Sequence, residues 1–292
     1  MSEIGGVITA MVTPFGAGGE LDLDAGRRVA RHLIDNGSHG VVVAGTTGES
    51  PTLTDDEKIR LLDAVLDEIG DEATVIAGTG SNDTRETVEL TARAREGGAD
   101  AVLVVTPYYN KPNRAGLRAH FAAVSEAAAE TPVVLYNIPS RTVIDLPPDL
   151  LAQLAAENAN IVAVKQADND ALGPVEGLDI LAGNDDSFAR TLAFGGVGGI
   201  LVASHVVGPR MRELYEAAVG GQSERAAELG AVYEALTVTA NPIPVKTALE
   251  LAGVVEANFR LPMVPASEQE RGVIRAALEQ LGGIVAGDAG GR

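Results

Sequence analysis

Short apolar runs alternate with longer amphipathic segments along most of this chain. The apolar runs are rich in valine and isoleucine and are not interrupted by regularly spaced polar residues, which is typical of parallel strands that are covered by helices. We predict eight such strands, at residues 7–12, 40–43, 74–77, 101–105, 133–136, 161–165, 179–182 and 198–202.

The segments between the strands have the spacing of amphipathic helices. Thr54 and Glu57 form the pattern of a capping box at a helix start, and Gly37, Gly70 and Gly97 stand where helices should end. We predict helices at residues 24–36, 54–69, 83–96, 114–129, 147–157, 185–194 and 209–219, and a weaker one near 168–175.

Eight strand–helix units in about 220 residues predict an α/β fold, a (β/α)8 TIM barrel. A doubly wound sheet is the alternative. Gly78-Thr79-Gly80 would suit a dinucleotide loop of that fold, but Asp83 stands where the third glycine of the fingerprint belongs. After residue 221 the strands stop, and 223–239, 244–252 and 266–281 read as helices. We therefore expect a catalytic barrel at 1–221 and a C-terminal helical region at 222–292.

Composition narrows the class of protein. The formal net charge is −19, from 22 basic and 41 acidic residues, which argues against nucleic acid or an anionic membrane as a partner. Cysteine is absent, so disulfides and thiol chemistry are excluded. The first residues lack a signal-peptide pattern, and no apolar stretch approaches the roughly 20 residues that span a bilayer. We expect a cytoplasmic protein.

Lys165 is the first candidate for chemistry. It closes the apolar run 161–164 and is one of four lysines in 292 residues. An amine carried into a hydrophobic strand loses hydration, which favours its neutral, nucleophilic form. Such amines form Schiff bases with carbonyl substrates. From this position alone, a lysine whose long side chain reaches water fits equally well.

Other polar residues follow the predicted strands, at the end of the barrel where enzymes of this fold carry their chemistry. They offer threonine and tyrosine hydroxyls around one lysine, and the four histidines are dispersed, so we predict no metal and no cofactor. An imine mechanism needs protons moved to and from oxygen, which a tyrosine beside the amine can do. The residues at or just past the ends of the predicted strands are Thr13, 45–49, Gly78, Thr79, 106–109, Tyr136, Asn137, Gly183, Asn184, Ser204 and His205.

Six motifs carry a resemblance to a known family. They are GTTGES at 45–50, VTPYYN at 105–110, YNIPSRT at 136–142, VK at 164–165, NPIPVK at 241–246 and LPM at 261–263. With these motifs the chain resembles the dihydrodipicolinate synthases, members of the pyruvate-dependent class I aldolase superfamily. The resemblance runs from about residue 6 to residue 265.

The resemblance implies a set of catalytic roles. Lys165 would form the Schiff base with pyruvate, and Tyr136 would act beside it as general acid and base. Thr46 would link Tyr136 to Tyr109 in a proton relay, with Tyr109 supplied by a neighbouring subunit. A homo-oligomer, a tetramer built as a dimer of dimers, follows from the resemblance.

The resemblance also implies how the substrates are held. Thr47 would bind the pyruvate carboxylate, and Arg141 the carboxylate of the second substrate, L-aspartate 4-semialdehyde. Gly183 and the Ile200 carbonyl would line the pocket through the main chain. The family pattern has Glu after the lysine, Gly after Ser-Arg-Thr and Asn in the last exit loop, where this chain has Gln166, Val143 and His205.

Two alternatives to a synthase remain open on the sequence. The same pyruvate imine serves aldolases of 2-keto-3-deoxy sugar acids and N-acetylneuraminate lyases, which would need hydroxyl-binding groups where Arg141 stands. A barrel that only binds an oxo-acid is the non-enzymatic alternative, and the set of Lys165, Tyr136, Thr46 and Tyr109 disfavours it.

Regulation by L-lysine is a further expectation from the resemblance. Ser50, Asn82, Glu86 and Tyr108 match the family's allosteric positions, whereas Pro51, Asp55 and Lys58 do not match the strongly inhibited form. A cationic Lys58 in that cleft would repel a cationic effector. We expect weak or absent inhibition.

Overall fold

The barrel is the central feature of the computed structural model, which describes residues 4–221 and 229–280. Eight parallel strands pair in chain order, and the last closes onto the first. The (β/α)8 TIM barrel is confirmed, and the doubly wound alternative is wrong because that sheet would be open. The strands are β1 (Gly6–Ala10), β2 (Gly40–Val43), β3 (Thr74–Gly78), β4 (Ala101–Val105), β5 (Val133–Asn137), β6 (Ile161–Gln166), β7 (Asp179–Ala182) and β8 (Gly198–Leu201).

Helices surround the barrel and continue beyond it. Those that connect and follow the strands are α1 (Leu23–Asp35), α2 (Asp55–Ile69), α3 (Thr84–Glu96), α4 (Arg114–Ala128), α5 (Pro139–Thr142), α6 (Pro148–Glu157), α7 (Phe188–Ala193) and α8 (Ser204–Val219). Further along the chain lie α9 (Gly230–Ala235), α10 (Ile243–Leu251) and α11 (Glu268–Gln280). Short 3-10 turns occupy Ser50–Thr52 and Asp185–Ser187.

The predicted start of α2 is confirmed in atomic detail. The Glu57 amide donates to the Thr54 hydroxyl at 3.2 Å, and the Thr54 amide donates back to the Glu57 carboxylate at 2.9 Å. These two bonds satisfy amides that the first helical turn leaves without partners. Gly70 and Gly97 end α2 and α3, as predicted.

The predicted helix near 168–175 is wrong. The segment forms turns, in which the Asp168 carboxylate accepts a hydrogen bond from the Asp170 amide at 3.0 Å. An aspartate that bonds to the backbone two residues on replaces the helical pattern with a turn. Gly173 and Pro174 then remove any helix that could follow.

Two other helices differ from their predicted bounds. The predicted helix 185–194 divides into a 3-10 turn and α7, and α8 begins at Ser204 rather than 209. Pro209 lies inside α8 and cannot donate to the His205 carbonyl, and the backbone is non-helical at Val207. The His32 ring contacts the carbonyl of His205 instead, at 3.3 Å.

The strands divide their side chains between two buried clusters. Alternate residues face the interior of the barrel, where Ile8, Val42, Ile76 and Leu181 belong to one cluster. The remaining apolar side chains pack against the helices in a larger cluster. Lys165 follows Val164, which belongs to the outer cluster, so its side chain has the inward position.

The C-terminal helices pack on the barrel and on one another, with α10 in contact with both α8 and α11. Of the predicted helix 223–239, residues 223–228 lie outside the described residues, and α9 occupies part of the rest. The division into 1–221 and 222–292 stays a prediction. Within the described ranges, the helices are too short or too polar to cross a membrane.

Candidate active site

Lys165 and Tyr136 lie side by side near the carboxyl ends of β6 and β5. The two residues are in register in the paired strands, and each is 5% exposed. The Lys165 amine lies 4.1 Å from the centre of the Tyr136 ring. Burial rules out the alternative in which the Lys165 side chain extends into water.

A cavity of about 540 Å³ opens at this end of the barrel. It brings together candidates from four separate strand ends, those of β2, β5, β6 and β7. Its lining includes Thr46, Thr47, Tyr136, Arg141, Lys165 and Gly183, as well as Asn184, Asp185, Asp186, Tyr233, Glu234 and Asn241. A smaller cavity of about 230 Å³ adjoins it and shares Thr46, Tyr136 and Arg141 with it.

The loop after β2 carries Thr46 and Thr47 and is held tightly. The Thr13 hydroxyl donates to the Gly48 carbonyl at 2.6 Å. Gly78 at the end of β3 allows the loop to approach, since a Cβ there would lie 2.5 Å from the Ala44 carbonyl oxygen. The loop is therefore fixed from two neighbouring strand ends.

Arg141 lies on α5, the short helix that follows β5 directly. Pro139 occupies its first turn, and the Thr142 hydroxyl donates to the Ile138 carbonyl at 3.0 Å. Arg141 itself is exposed at the cavity mouth. Val143 ends the helix with φ +64, a left-handed conformation that a β-branched residue rarely adopts and that the expected glycine would adopt freely.

Of the two main-chain positions expected from the sequence, Gly183 directly follows β7 and Ile200 lies on β8. The Gly183 amide donates to the Gln166 carbonyl at 2.8 Å, and a Cβ on Gly183 would lie 2.7 Å from the Ala167 side chain. This close approach explains the glycine. Ile200 is fully buried on β8, in register with Ile8.

Asp185 is a residue of the site that sequence reasoning missed. Its carboxylate accepts hydrogen bonds from the amides of Val202 and Ala203, both at 3.0 Å. Burial raises the pKa of Asp185, while the two amides and the charge of Lys165 act in the opposite direction. The residue ties the loop after β7 to the loop after β8. The available signal was an aspartate three residues after the end of an apolar strand.

His205 also joins two strand ends. Its Nε2 accepts from the Val12 amide at 3.2 Å, and Nδ1 lies 2.8 Å from the Val202 carbonyl, to which it donates. Both bonds need the neutral ring with its hydrogen on Nδ1. Burial lowers the pKa of His205 to about 4.

Tyr109 is the catalytic candidate that the described chain does not bring into the cavity. It is 87% exposed and has a left-handed backbone with φ +72. Neither of the two cavities described above has Tyr109 in its lining.

The four allosteric candidates divide into two pairs. Ser50 and Tyr108 line the smaller cavity. Asn82 accepts a hydrogen bond from Asn110 through its carbonyl at 2.8 Å, and Glu86 accepts one from Ser81 at 3.1 Å.

Among the described residues, no group of three or more side chains could hold a metal ion. What the cavity offers is one buried amine, a tyrosine beside it, two threonines and an arginine. This set can form an imine with a keto acid and hold carboxylates.

Known proteins match the chain over nearly its whole length. The model of the dihydrodipicolinate synthetase family matches residues 3–281. The 4-hydroxy-tetrahydrodipicolinate synthase of Thermosynechococcus vestitus is 45% identical, over 97% of this chain and 99% of the relative. The synthase of Heliobacterium modesticaldum is 46% identical, over 96% of each chain.

Solved structures agree with these relatives. A dihydrodipicolinate synthase crystal structure from Aquifex aeolicus superimposes with a TM-score of 0.91 at 39% identity, covering 96% of this chain and 99% of that one. One from Thermotoga maritima has a TM-score of 0.91 at 40% identity, covering 95% and 98%. This chain belongs to the dihydrodipicolinate synthetase family.

Proposed function

We infer that this chain is a lyase that condenses pyruvate with L-aspartate 4-semialdehyde and releases water, giving the cyclic dicarboxylate 4-hydroxy-tetrahydrodipicolinate on the route to lysine and diaminopimelate. The observation that carries the mechanism is the buried Lys165 amine beside Tyr136 in a cavity that also contains Thr46, Thr47 and Arg141. Membership of the family and the names of relatives about 45% identical support the substrates.

The first step is imine formation at Lys165. The neutral amine attacks the keto carbon of pyruvate, and the resulting carbinolamine loses its hydroxyl as water once that oxygen is protonated. Tyr136 is the proton donor and acceptor, since its ring lies against the amine. Thr46 connects Tyr136 to further proton donors, and the Thr47 hydroxyl and amide hold the carboxylate of the keto acid.

The second step joins the two substrates. Loss of a proton from the methyl group gives an enamine, whose carbon attacks the aldehyde. The amino group of the semialdehyde then displaces Lys165 from the imine carbon, which closes the ring and frees the enzyme. Arg141 at the cavity mouth holds the carboxylate of this substrate, for which a guanidinium offers two parallel donors.

Tyr109 completes the proton relay from a neighbouring subunit. Its 87% exposure and positive φ fit a side chain that is presented outward by its own chain. We propose a homo-oligomer, a tetramer made of two tight dimers, in which each dimer exchanges Tyr109.

We also propose that L-lysine inhibits this enzyme weakly or not at all. Lys58 lies on α2 and pairs with Asp55 at 3.0 Å, and both residues differ from the form expected of strongly inhibited enzymes. A dihydrodipicolinate synthase from Cyanidioschyzon merolae, 39% identical to this chain, has been solved with lysine bound. Half-maximal inhibition of this enzyme by sub-millimolar L-lysine would contradict the proposal.

Parallel assays with two aldehydes test the function. The purified enzyme and pyruvate are given L-aspartate 4-semialdehyde in one assay and glyceraldehyde in the other, and kcat/KM is compared. A synthase gives a large preference for the semialdehyde. A preference for glyceraldehyde would favour a sugar-acid aldolase and reject the proposed function.

A further inference from the structure

The C-terminal region contacts the loop that carries Thr46 and Thr47. The Asn241 side-chain amide donates to the Thr47 hydroxyl at 2.9 Å. The Lys246 amine donates to Glu49 at 2.6 Å, and the Arg260 amide donates to the same carboxylate at 3.2 Å. Residues from beyond the barrel therefore fix the loop and touch one of its candidate substrate-binding groups.

The direction of the bond between Asn241 and Thr47 matters chemically. A threonine hydroxyl has one hydrogen to donate and two lone pairs that accept. Because the amide nitrogen of Asn241 donates, it occupies a lone pair of Thr47 and leaves the hydrogen free for another acceptor. Thr47 is 3% exposed and lines the cavity that contains Lys165, so an acceptor bound there can receive that hydrogen.

The other polar atom of the Asn241 amide takes no part in this contact. Its Oδ1 is buried and has no hydrogen-bond partner among the described residues. Burying an unpaired acceptor costs free energy, so the bond to Thr47 is what the buried amide gains in return. Asn241 also lines the cavity with Lys165.

We propose that Asn241 is a positioning residue for the keto-acid carboxylate, acting through Thr47. It donates to the Thr47 hydroxyl and thereby directs that hydroxyl to donate to the carboxylate of the bound keto acid. The inference rests on the proposed function and deepens it. It assigns the C-terminal region a part in keto-acid binding.

A double-mutant cycle tests this inference with pyruvate alone. The variants are Asn241→Ala, Thr47→Val and the pair, and the readout is the pyruvate concentration that gives half-maximal borohydride-trapped adduct. We expect Asn241→Ala to raise this concentration about fivefold when Thr47 is present, and to have no further effect beside Thr47→Val. With Thr47→Ser, which keeps a hydroxyl, the fivefold effect of Asn241→Ala should return.

A second asparagine provides the matched control. Asn258 also lies in the C-terminal region, and its side-chain amide donates to the Phe15 carbonyl at 3.0 Å. Asn258→Ala removes an amide contact to the barrel without touching Thr47, so we expect the half-saturating pyruvate concentration to stay within twofold. The KM for the semialdehyde should also stay within twofold in Asn241→Ala.

Three outcomes would overturn the inference: equal effects of Asn241→Ala and Asn258→Ala, an Asn241→Ala effect that persists beside Thr47→Val, or an equal rise in the KM of both substrates. All three outcomes can be measured only if the wild-type enzyme forms the pyruvate adduct. None of them therefore contradicts the proposed function. Absence of any adduct in the wild type would instead reject the imine mechanism, and the inference with it.

Discussion

The Lys246 amine lies 2.6 Å from the Glu49 carboxylate, and both side chains are almost fully buried, at 0% and 2% exposure. The pair joins α10 to the loop after β2 across 197 positions of sequence. The amine also donates to the Asn258 carbonyl at 2.7 Å and lies 4.5 Å from the centre of the Phe15 ring. Loss of hydration lowers the pKa of Lys246, and the charge of Glu49 opposes that shift.

Breaking this pair from one side should destabilise the protein strongly. Lys246→Met leaves the Glu49 carboxylate buried without its cation, and removing one partner of a buried pair costs about 3–5 kcal/mol. We expect a clear fall in the urea midpoint of unfolding, and a smaller fall in the double variant Lys246→Met/Glu49→Gln. The control is Arg118→Met, which breaks an exposed ion pair with Glu157. The urea midpoint of this control variant should change little. Equal falls in the single and double variants would contradict this account of the pair.

Tyr136→Phe tests the proton donor beside the amine. The ring that packs against Lys165 is kept and only the hydroxyl is lost, so the fold should be unchanged. We expect kcat to fall about 100-fold or more, because a positioned general acid and base contributes at least that much. The thermal midpoint serves as the control for folding. A kcat within threefold of the wild type would remove Tyr136 from the mechanism.

Arg141→Ala separates the two substrates. Arg141 is exposed at the mouth of the cavity, whereas Lys165 is buried inside it. Loss of a charge-assisted pair should raise the KM for the semialdehyde about tenfold or more. The half-saturating pyruvate concentration for adduct formation should stay within threefold. An equal effect on both substrates would show that Arg141 does not discriminate between them.

Acid should weaken the protein through His205. The pKa of His205 is about 4 in the folded chain, against an ordinary value of 6.5. Between pH 4 and pH 6.5, the unfolded chain therefore binds a proton that the folded chain does not. The free energy of unfolding therefore falls as the pH falls through this window, by about 3 kcal/mol in the limit for this one group. Urea midpoints at about pH 7 and about pH 5 measure the fall.

The control for this effect is His205→Gln. Glutamine does not titrate, so the variant should lose less stability than the wild type between the two pH values. His120, whose pKa burial also lowers to about 4, contributes equally to both proteins. Identical losses in wild type and variant would assign the acid sensitivity to other groups.

Hydrophobic runs and short motifs predicted the strands and the helix start that depend on residues close together in the sequence. The strands lie at their predicted places because uninterrupted runs such as 161–164 bury both faces, and the α2 capping box depends on residues three apart. The helix predicted near 168–175 failed because the Asp168 side chain bonds to the backbone and competes with the helix. A side-chain turn of this kind leaves little trace in hydrophobic periodicity.

In the candidate site, too, some residues could be predicted from local sequence and some contacts could not. Lys165 and Tyr136 could be found because each ends a predicted apolar strand, and the carboxyl ends of the strands meet at one end of the barrel. The contacts of Asp185 with Val202 and of Lys246 with Glu49 could not be predicted, since each depends on two loops or elements meeting after the barrel closes. Tyr109 could be interpreted only through the family resemblance.

Trapping the imine tests the central claim, which is that the Lys165 amine captures the keto acid. The enzyme is incubated with pyruvate and borohydride, digested and mapped by mass spectrometry, with Lys165→Arg as the control variant. The account predicts one reduced pyruvyl group per chain, located on Lys165 and absent from the control. An unmodified Lys165, or an adduct of equal yield in Lys165→Arg, would contradict it.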